Sequence, residues 1–445
     1  MTITAADQQL ALHNLQAPEV IADPVPYYTR LRTSAPVYFD PFISTWLLSR
    51  HIDVKHVLTS PDTTVQMRHT DTLARFGGAG LEEAFRLLDL HVSFVDDPEH
   101  RRLRRTLAEP VQVRKVRTDL TAPIDTAIDA VLDAITDSVQ RLEPVDVATA
   151  VADQVPILVT QQLLGIHDVD ITTVQRWSHA WSDIVAAPGH VPTGNRAELL
   201  HTVAELIAYL QTLIDRHTSA IVAERISAND TTDANAGNAR ESMITALVSA
   251  MLGGSISRDE LLANLLMLIT AGNETTANLI ANSVMALADD PALWRLVTTE
   301  PDRIPDVIEE VGRLFPPTQF TARRATAPLT LPSGDVIPVG ASVVLILAAA
   351  NRDPDAFSDP DRFLPGRPGP QPVTYGYGPH LCFGAPLARQ ETRRTLERLA
   401  STFLHLTPLP GRAWRRNGNL RGLQTLPVRL HRSIPGTPHI TAGAR

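Results

Sequence analysis

The sequence predicts a mainly α-helical fold with small β-sheets, organised around one unusually long helix. Three observations carry this expectation. Apolar residues recur at spacings of three and four over most of the chain. Alternating, β-branched stretches are confined to two short segments far apart in the sequence. One apolar run continues for about thirty residues without a proline to stop it.

The helical spacing covers 101–140, 155–165, 200–225, 242–252, 258–288 and 385–402. Of these, 258–288 is the long one. Ser257 and Glu260 have the spacing of a capping box at its start, and Asp290-Pro291 ends it. At 1.5 Å per residue it makes a rod of roughly 45 Å, enough to cross a domain. The strands fall at Val37 to Ser49, a hairpin about Asp40-Pro41, and at Leu329 to Leu347, broken by the turn Ser333-Gly334-Asp335 and by Pro338 and Gly340. Strands that precede and follow the helical body are expected to pair with each other, which makes 1–445 one integrated domain. Disorder is expected at both ends, 1–15 and 434–445, and a flexible surface at the polar run Ser227 to Arg240.

With 445 residues, 44% hydrophobic and 20% charged, the chain can bury a large core. A formal charge of -9 argues against wholesale nucleic-acid binding. The first residues lack a basic leader, and no window reaches the ~18 charge-free apolar residues of a membrane span. A soluble, cytoplasmic monomer with no membrane contact is expected. The single cysteine, Cys382, excludes an internal disulfide framework and a cysteine-based zinc site. By itself a lone cysteine is more often a buried small hydrophobe than a ligand.

Its neighbours change that reading. The run Tyr375-Gly-Tyr-Gly-Pro-His-Leu-Cys382-Phe383-Gly384 surrounds the thiol with glycines that let the backbone pass close to a flat object. The segment from Ala385 begins a helix, with Pro386 suited to its first turn. Cys382 therefore sits just before a helix N-terminus, where the dipole and free N–H groups favour thiolate over thiol. A dinucleotide loop does not fit, because Leu381 stands where a third glycine is needed.

Three further motifs lie far away. Ala271-Gly-Asn-Glu274-Thr275-Thr is a polar break in the middle of the greasy long helix; taken alone, Thr275 bonds the carbonyl one turn back. Glu310 and Arg313 share a helix face ahead of Pro316-Pro317, and Asp359-Pro-Asp-Arg362-Phe follows. His100 and Arg104 are four apart on another helix face.

Together these segments resemble the cytochrome P450 family of haem-thiolate monooxygenases, in the expected order and over essentially the whole chain. The resemblance implies that haem b is bound with Cys382 as axial thiolate ligand of the iron, beneath the long helix. Tyr375 stands where the family usually has phenylalanine and is expected to pack beside the sulfur. The resemblance further implies that His100, Arg104, Arg323 and His380 hold the haem propionates, with Arg324 as an alternative to Arg323. It places Ala271, Phe383, Gly384 and Tyr375 against the haem. Thr275 is assigned to the hydrogen-bond network around bound dioxygen and Glu274 to relaying protons. Glu310, Arg313 and Arg362 become a buried structural network; Gly312, inside that helix, is expected to weaken it locally.

The implied activity is oxidation of a small or medium-sized organic molecule by dioxygen, hydroxylation by default and natural-product tailoring by preference. Ring coupling, cyclisation, epoxidation or nitration on the same scaffold is the nearest alternative, since the pocket decides the outcome. A non-catalytic binding relative is disfavoured because the cysteine and the Glu-Thr pair are both intact. No Gly-x-Ser-x-Gly or His-Glu-x-x-His arrangement supports a hydrolase. The pocket is expected to draw on the 62–95 connection, whose Gly77-Gly78-Ala79-Gly80 run implies a mobile entry loop, on the 176–195 connection, and on Gln319, Phe320 and Leu423. With no reductase domain after residue 430, electrons are expected from ferredoxin and ferredoxin reductase. The basic run His100 to Arg117 is the expected docking patch for an acidic ferredoxin.

Overall fold

The computed structural model describes residues 3–66, 80–186, 195–230 and 242–432. Its main helices are α1 (Ala5–Leu10), α2 (Glu99–Ala108), α3 (Gln154–Leu164), α4 (Ile171–Ala186), α5 (Arg196–Asp230), α6 (Arg258–Asp289), α7 (Ile304–Leu314) and α8 (Ala385–Thr402). The five-stranded sheet runs β1-β2-β5-β4-β3, built from β1 (Val37–Asp40), β2 (Thr45–Leu48), β3 (Thr63–Thr64), β4 (Thr321–Ala325) and β5 (Ser342–Leu345). β2 and β5 pair in parallel, Leu47 beside Val344, so segments flanking the helical body do meet in one sheet. Smaller sheets join Val145–Asp146 to Pro427–Arg432 and Phe403–Pro408, and Leu329–Thr330 to Val336–Ile337.

α6 is the axis of the molecule. Ser257 Oγ accepts the Glu260 N–H (3.2 Å), and the Glu260 carboxylate accepts the Ser257 N–H (2.7 Å), the reciprocal cap that the sequence predicts. Such a cap is worth about 1 kcal/mol against alanine. Leu261, Leu265 and Ile269 are fully buried in one core with α4 and α5, while Leu279, Ile280 and Val284 belong to a second core with α3, α7 and α8. Buried asparagines tie loops to this apolar rod: Asn264 accepts the Val92 N–H (3.0 Å), and Asn282 donates to the Phe315 carbonyl (3.0 Å).

Several elements differ from expectation for identifiable reasons. The helix expected over 101–140 is interrupted after Ala108, where Pro110 supplies no N–H, and resumes at Val113, passing through a π-helical turn (Val116–Leu120) into Thr121–Ala134 and Thr136–Gln140. The N-terminal stretch expected to be disordered contains α1, whose Thr4 and Asp7 form a second capping box. The expected 176–195 connection is helical through Ala186, because Val174, Trp177, Trp181 and Ile184 form a buried stripe at helical spacing. α5 continues to Asp230, into the run expected to be flexible; 231–241 lies outside the described residues. So do 67–79, which takes in most of the expected glycine-rich entry loop, 187–194 and 433–445.

The Glu310–Arg313 pair is bidentate (2.8 and 2.8 Å) and buried. Its third member is not Arg362. That side chain is exposed, and only the Arg362 carbonyl joins, accepting from Arg313 (3.2 Å). The buried partner is Arg367, whose Nε reaches Glu310 (3.2 Å) and whose remaining nitrogens bond the carbonyls of Ser358, Asp359 and Arg362. Gly312 is not a weak point either. A side chain there would press on Thr374, whose hydroxyl donates to the Gly312 carbonyl (2.8 Å). The missing side chain lets the segment leading to Cys382 lie against α7.

Candidate active site

The loop before α8 is shaped by two left-handed glycines, Gly376 (φ 75°) and Gly378 (φ 73°). At Gly378 a Cβ would come within 2.9 Å of the Leu58 carbonyl, so this position needs glycine on two counts. The loop folds back so that the Cys382 N–H donates to the Tyr375 carbonyl (2.9 Å). Gly384 caps α8 and Pro386 occupies its first turn. The Cys382 sulfur thus receives the N–H groups of Gly384 and Ala385 at a helix N-terminus. Burial pushes its thiol up, while those N–H groups, Arg104 and Arg389 pull it back; the net direction is up. The two N–H donors and the nearby arginines are the groups that favour the anionic sulfur a metal ligand needs. Tyr375 lies by the sulfur beneath Arg389, whose guanidinium sits 4.2 Å from the ring centroid.

Cys382 opens onto a cavity of about 380 Å³ whose opposite wall is α6, through Ala271, Gly272, Thr275 and Thr276. Phe383, Gly384, Leu387 and Ala388 complete the side nearest the sulfur. One end is cationic. The His100 and His380 rings pack at a tilt of 35° with centroids 4.0 Å apart, and Arg104 and Arg323 line the cavity beside them. Burial lowers His380 to about 3, with His100, Arg323 and Arg104 adding repulsion, and it lowers Arg323 to about 10. Asp96 only partly offsets Arg323. Arg324 faces the other side of β4 and is exposed, which leaves Arg323 as the cavity's arginine on that strand. Four basic side chains crowded against each other at the end of an apolar slot, with a thiol across it, form a donor set suited to haem and its two propionates.

On α6, the Thr275 hydroxyl donates to the Ala271 carbonyl (2.7 Å), the local bond that a mid-helix threonine makes by default. It nevertheless borders the cavity. Glu274 points away toward α4: burial raises its carboxyl, Ser182 beside it pulls the other way, and one carboxylate oxygen is buried with no partner. Behind them lies a polar group that sequence spacing did not signal. Arg415 bonds both oxygens of buried Asp153 (2.8 and 2.7 Å) and lies 3.2 Å from His179, which burial lowers to about 4.

A second cavity of about 330 Å³ adjoins the first and shares Met267, Ala271, Thr275, Thr318 and Arg323 with it. Phe320 lines it, as expected. Gln319 does not. It is 2% exposed, accepts from the Tyr28 hydroxyl and donates to the Pro316 carbonyl (2.5 Å), so it braces the turn beneath the pocket. Leu423 also lies elsewhere, in the core below α6, and Asn419 and Leu420 take the pocket wall instead. The cause is Gly422, where any Cβ would overlap Asn278 of α6; the strand hugs the helix there and turns Leu423 inward.

The basic run is less uniform than its composition. Arg104 faces the cavity, Arg101 pairs with Asp97 (2.6 Å), Arg102 with Glu260 and Lys115 with Glu109. Arg105, Arg114 and Arg117 remain exposed. Arg117 borders a shallow depression with Glu309, Pro386, Arg389 and Arg393, on the Cys382 side of the molecule. No helix among the described residues is long and apolar enough to cross a membrane.

Comparison with known proteins agrees with this geometry. The family model described as Cytochrome P450 matches residues 37–427. The chain is 30% identical to the vitamin D(3) 25-hydroxylase of Pseudonocardia autotrophica, covering 97% of this chain and 98% of that one. It is 32% identical to the erythromycin C-12 hydroxylase of Saccharopolyspora erythraea, covering 85% and 86%. Among solved structures, epothilone B-bound cytochrome P450epoK matches with a TM-score of 0.80 at 25% identity, over 94% of this chain and 99% of the other. Proteins of this kind carry haem iron on a cysteine thiolate, and this sequence has a single cysteine to offer. With the match spanning the helical body, the sheet and the cysteine loop alike, this chain belongs to the cytochrome P450 family of oxidoreductases.

Proposed function

We propose that this protein hydroxylates a medium-sized natural product, using dioxygen and electrons from a ferredoxin supplied by its reductase. The observation that carries the reading is the convergence on one cavity of Cys382, an end formed by two arginines and two histidines, and the Thr275 face of α6. Haem bound there supplies the redox chemistry; the chain's own residues position, exclude and deliver. Cys382 would hold the iron, and His100, Arg104, Arg323 and His380 would hold the propionates. Thr275, which borders the cavity, could turn its hydroxyl from the Ala271 carbonyl to donate a hydrogen bond into that space. Glu274, buried and raised toward its neutral form, can hold a proton behind it. The apolar walls keep bulk water from competing.

Natural-product chemistry is supported by relatives named for hydroxylating erythromycin and vitamin D(3). Bacterial members of the family take electrons from partners such as ferredoxin. The depression beside Arg117 and Arg389, close behind Cys382, is where an acidic iron–sulfur protein fits. The optical spectrum of the reduced, carbon-monoxide-bound protein tests the reading directly. A Soret band displaced to the thiolate position is expected, and a band at the usual histidine-haem position, or no haem uptake, overturns it.

A further inference from the structure

One wall of the second cavity is made by residues of two segments, 318–323 and 419–420, that lie edge to edge. Thr318 pairs with Leu420 in an isolated antiparallel bridge, and the Gln319 N–H donates to the Asn419 carbonyl (2.8 Å). The Asn419 N–H donates in turn to Asn417 Oδ1 (2.9 Å). The Asn419 side chain is held as well, because its Oδ1 accepts the Phe320 N–H (3.1 Å). A backbone N–H can only donate, so this bond settles which end of the amide is oxygen. The amide therefore rests on the strand whose Thr318, Phe320 and Thr321 line the cavity. Its Nδ2 keeps two hydrogens with no acceptor among the described residues, and it is not among the atoms sealed inside the wall. The other polar groups here are engaged or sealed. His91 Nδ1 accepts the Ser93 N–H (3.4 Å), while His91 Nε2, Trp181 Nε1, Ser182 Oγ and Thr270 Oγ1 are buried within the wall. Thr275 bonds Ala271, and Arg323 belongs to the arginine–histidine end of the first cavity. Ser93, Thr318 and Thr321 offer hydroxyls, which rotate and can donate or accept. Among the described lining residues, the Asn419 amide is the accessible donor whose direction the fold fixes.

We propose that Asn419 Nδ2 orients the substrate by donating a hydrogen bond to an acceptor oxygen on it, such as a carbonyl, ester, ether or hydroxyl. The substrate class is an apolar skeleton bearing that oxygen away from the oxidised carbon. The separation follows from the walls. Asn419 borders the second cavity and not the first, Cys382 borders the first and not the second, and Thr318 and Thr321 border both. A molecule held by Asn419 must therefore reach past the two threonines to bring a carbon over Cys382. The apolar skeleton follows from Phe94, Trp181, Val185 and Phe320, which make up much of the rest of the second cavity. Its volume of about 330 Å³ suits a molecule of several rings or one large ring. A donor already fixed by the fold loses little freedom on binding, so its bond goes into selectivity instead of ordering.

This inference rests on the monooxygenase reading, and its test separates the two. The reduced carbon-monoxide spectrum of the parent holoenzyme decides the family chemistry. The anchor is decided by affinity for two probes that differ in one oxygen, cyclopentadecanone and cyclopentadecane. Binding is followed by the spin-state shift and, independently of the haem, by the fluorescence of the tryptophans, of which Trp181 borders the cavity. Asn419→Asp keeps an oxygen for the Phe320 N–H and replaces the donor with an acceptor; Asn419→Leu removes both. The probes are compared within each protein, so a loss of stability or haem common to both cancels. The parent is expected to prefer the ketone by about three- to tenfold, and each variant to bind the two probes about equally. Equal binding by the parent, failure of the ketone to bind, or an unchanged preference in either variant overturns the proposal.

Discussion

Replacing Arg367 should destabilise this protein far more than replacing Arg362, although the sequence motif points to Arg362. The Arg367 side chain is 5% exposed, lies 3.2 Å from Glu310 and satisfies the carbonyls of Ser358, Asp359 and Arg362. Arg367→Leu removes its bonds to the Ser358 and Asp359 carbonyls and half of the positive charge facing Glu310, while Arg313 keeps its bidentate contact and its bond to the Arg362 carbonyl. Breaking a buried pair by deleting one partner costs about 3–5 kcal/mol, and the surviving Arg313 argues for the lower end. Arg362 has an exposed side chain, so Arg362→Leu should stay within about 0.5 kcal/mol. At about 2.1 cal/mol/K per residue, unfolding a chain of this size carries an entropy near 0.9 kcal/mol/K, so about 3 kcal/mol lowers the midpoint by about 3 °C. Loss of the haem absorbance on heating, followed at one scan rate for parent and variants, measures this. A fall for Arg362→Leu equal to or larger than that for Arg367→Leu would refute the reasoning.

Other outcomes follow from the site. Thr275→Ala should leave substrate binding and iron reduction largely intact while diverting electrons to hydrogen peroxide; a product-to-oxygen ratio equal to the parent's rules out its role. Reduction by an acidic ferredoxin should slow as salt rises, and Arg117→Glu should slow it further at low salt, because exposed charges are screened within about 10 Å at 0.1 M; stopped-flow rates insensitive to both would exclude the depression beside Arg117 as the docking site. His179 titrates near 4 when folded, against an ordinary 6.5. The unfolded chain therefore takes up a proton there that the folded one refuses, and stability falls as pH drops from 6.5 toward 4. His179→Gln should flatten that slope in denaturation midpoints compared at pH 7 and pH 5.

Much of this architecture is legible in the sequence because it is local. The cap at Ser257 and Glu260, the stop at Pro291, the hairpins and the glycines about Cys382 are each set by residues within a few positions of one another. The cavity residues Thr275, His100 and His380 are legible because they belong to motifs of fixed spacing. What escapes is set by distant neighbours. Gln319 looks like a pocket residue until Tyr28, nearly three hundred positions away, claims its side chain. Leu423 turns inward because Gly422 must clear Asn278. Arg367 replaces Arg362 because the chain's path around Glu310, not the local pattern, decides which arginine points inward. The helix Ile171–Ala186 is a different case: its stripe of Val174, Trp177, Trp181 and Ile184 is a local signal, and the expectation of a connection from residue 176 passes over it.

The wall of the first cavity includes Leu58 at one extreme of the sequence and Ala388 at the other. During synthesis, therefore, no partial chain can enclose a haem. The long helix and its neighbours can collapse as soon as they emerge, but the sheet waits for Ser342–Leu345 to reach Thr45–Leu48, and the iron ligand arrives later still. Until then the greasy surfaces intended for the cofactor face one another or the solvent. The cofactor pocket is therefore among the last features that the folding chain can complete.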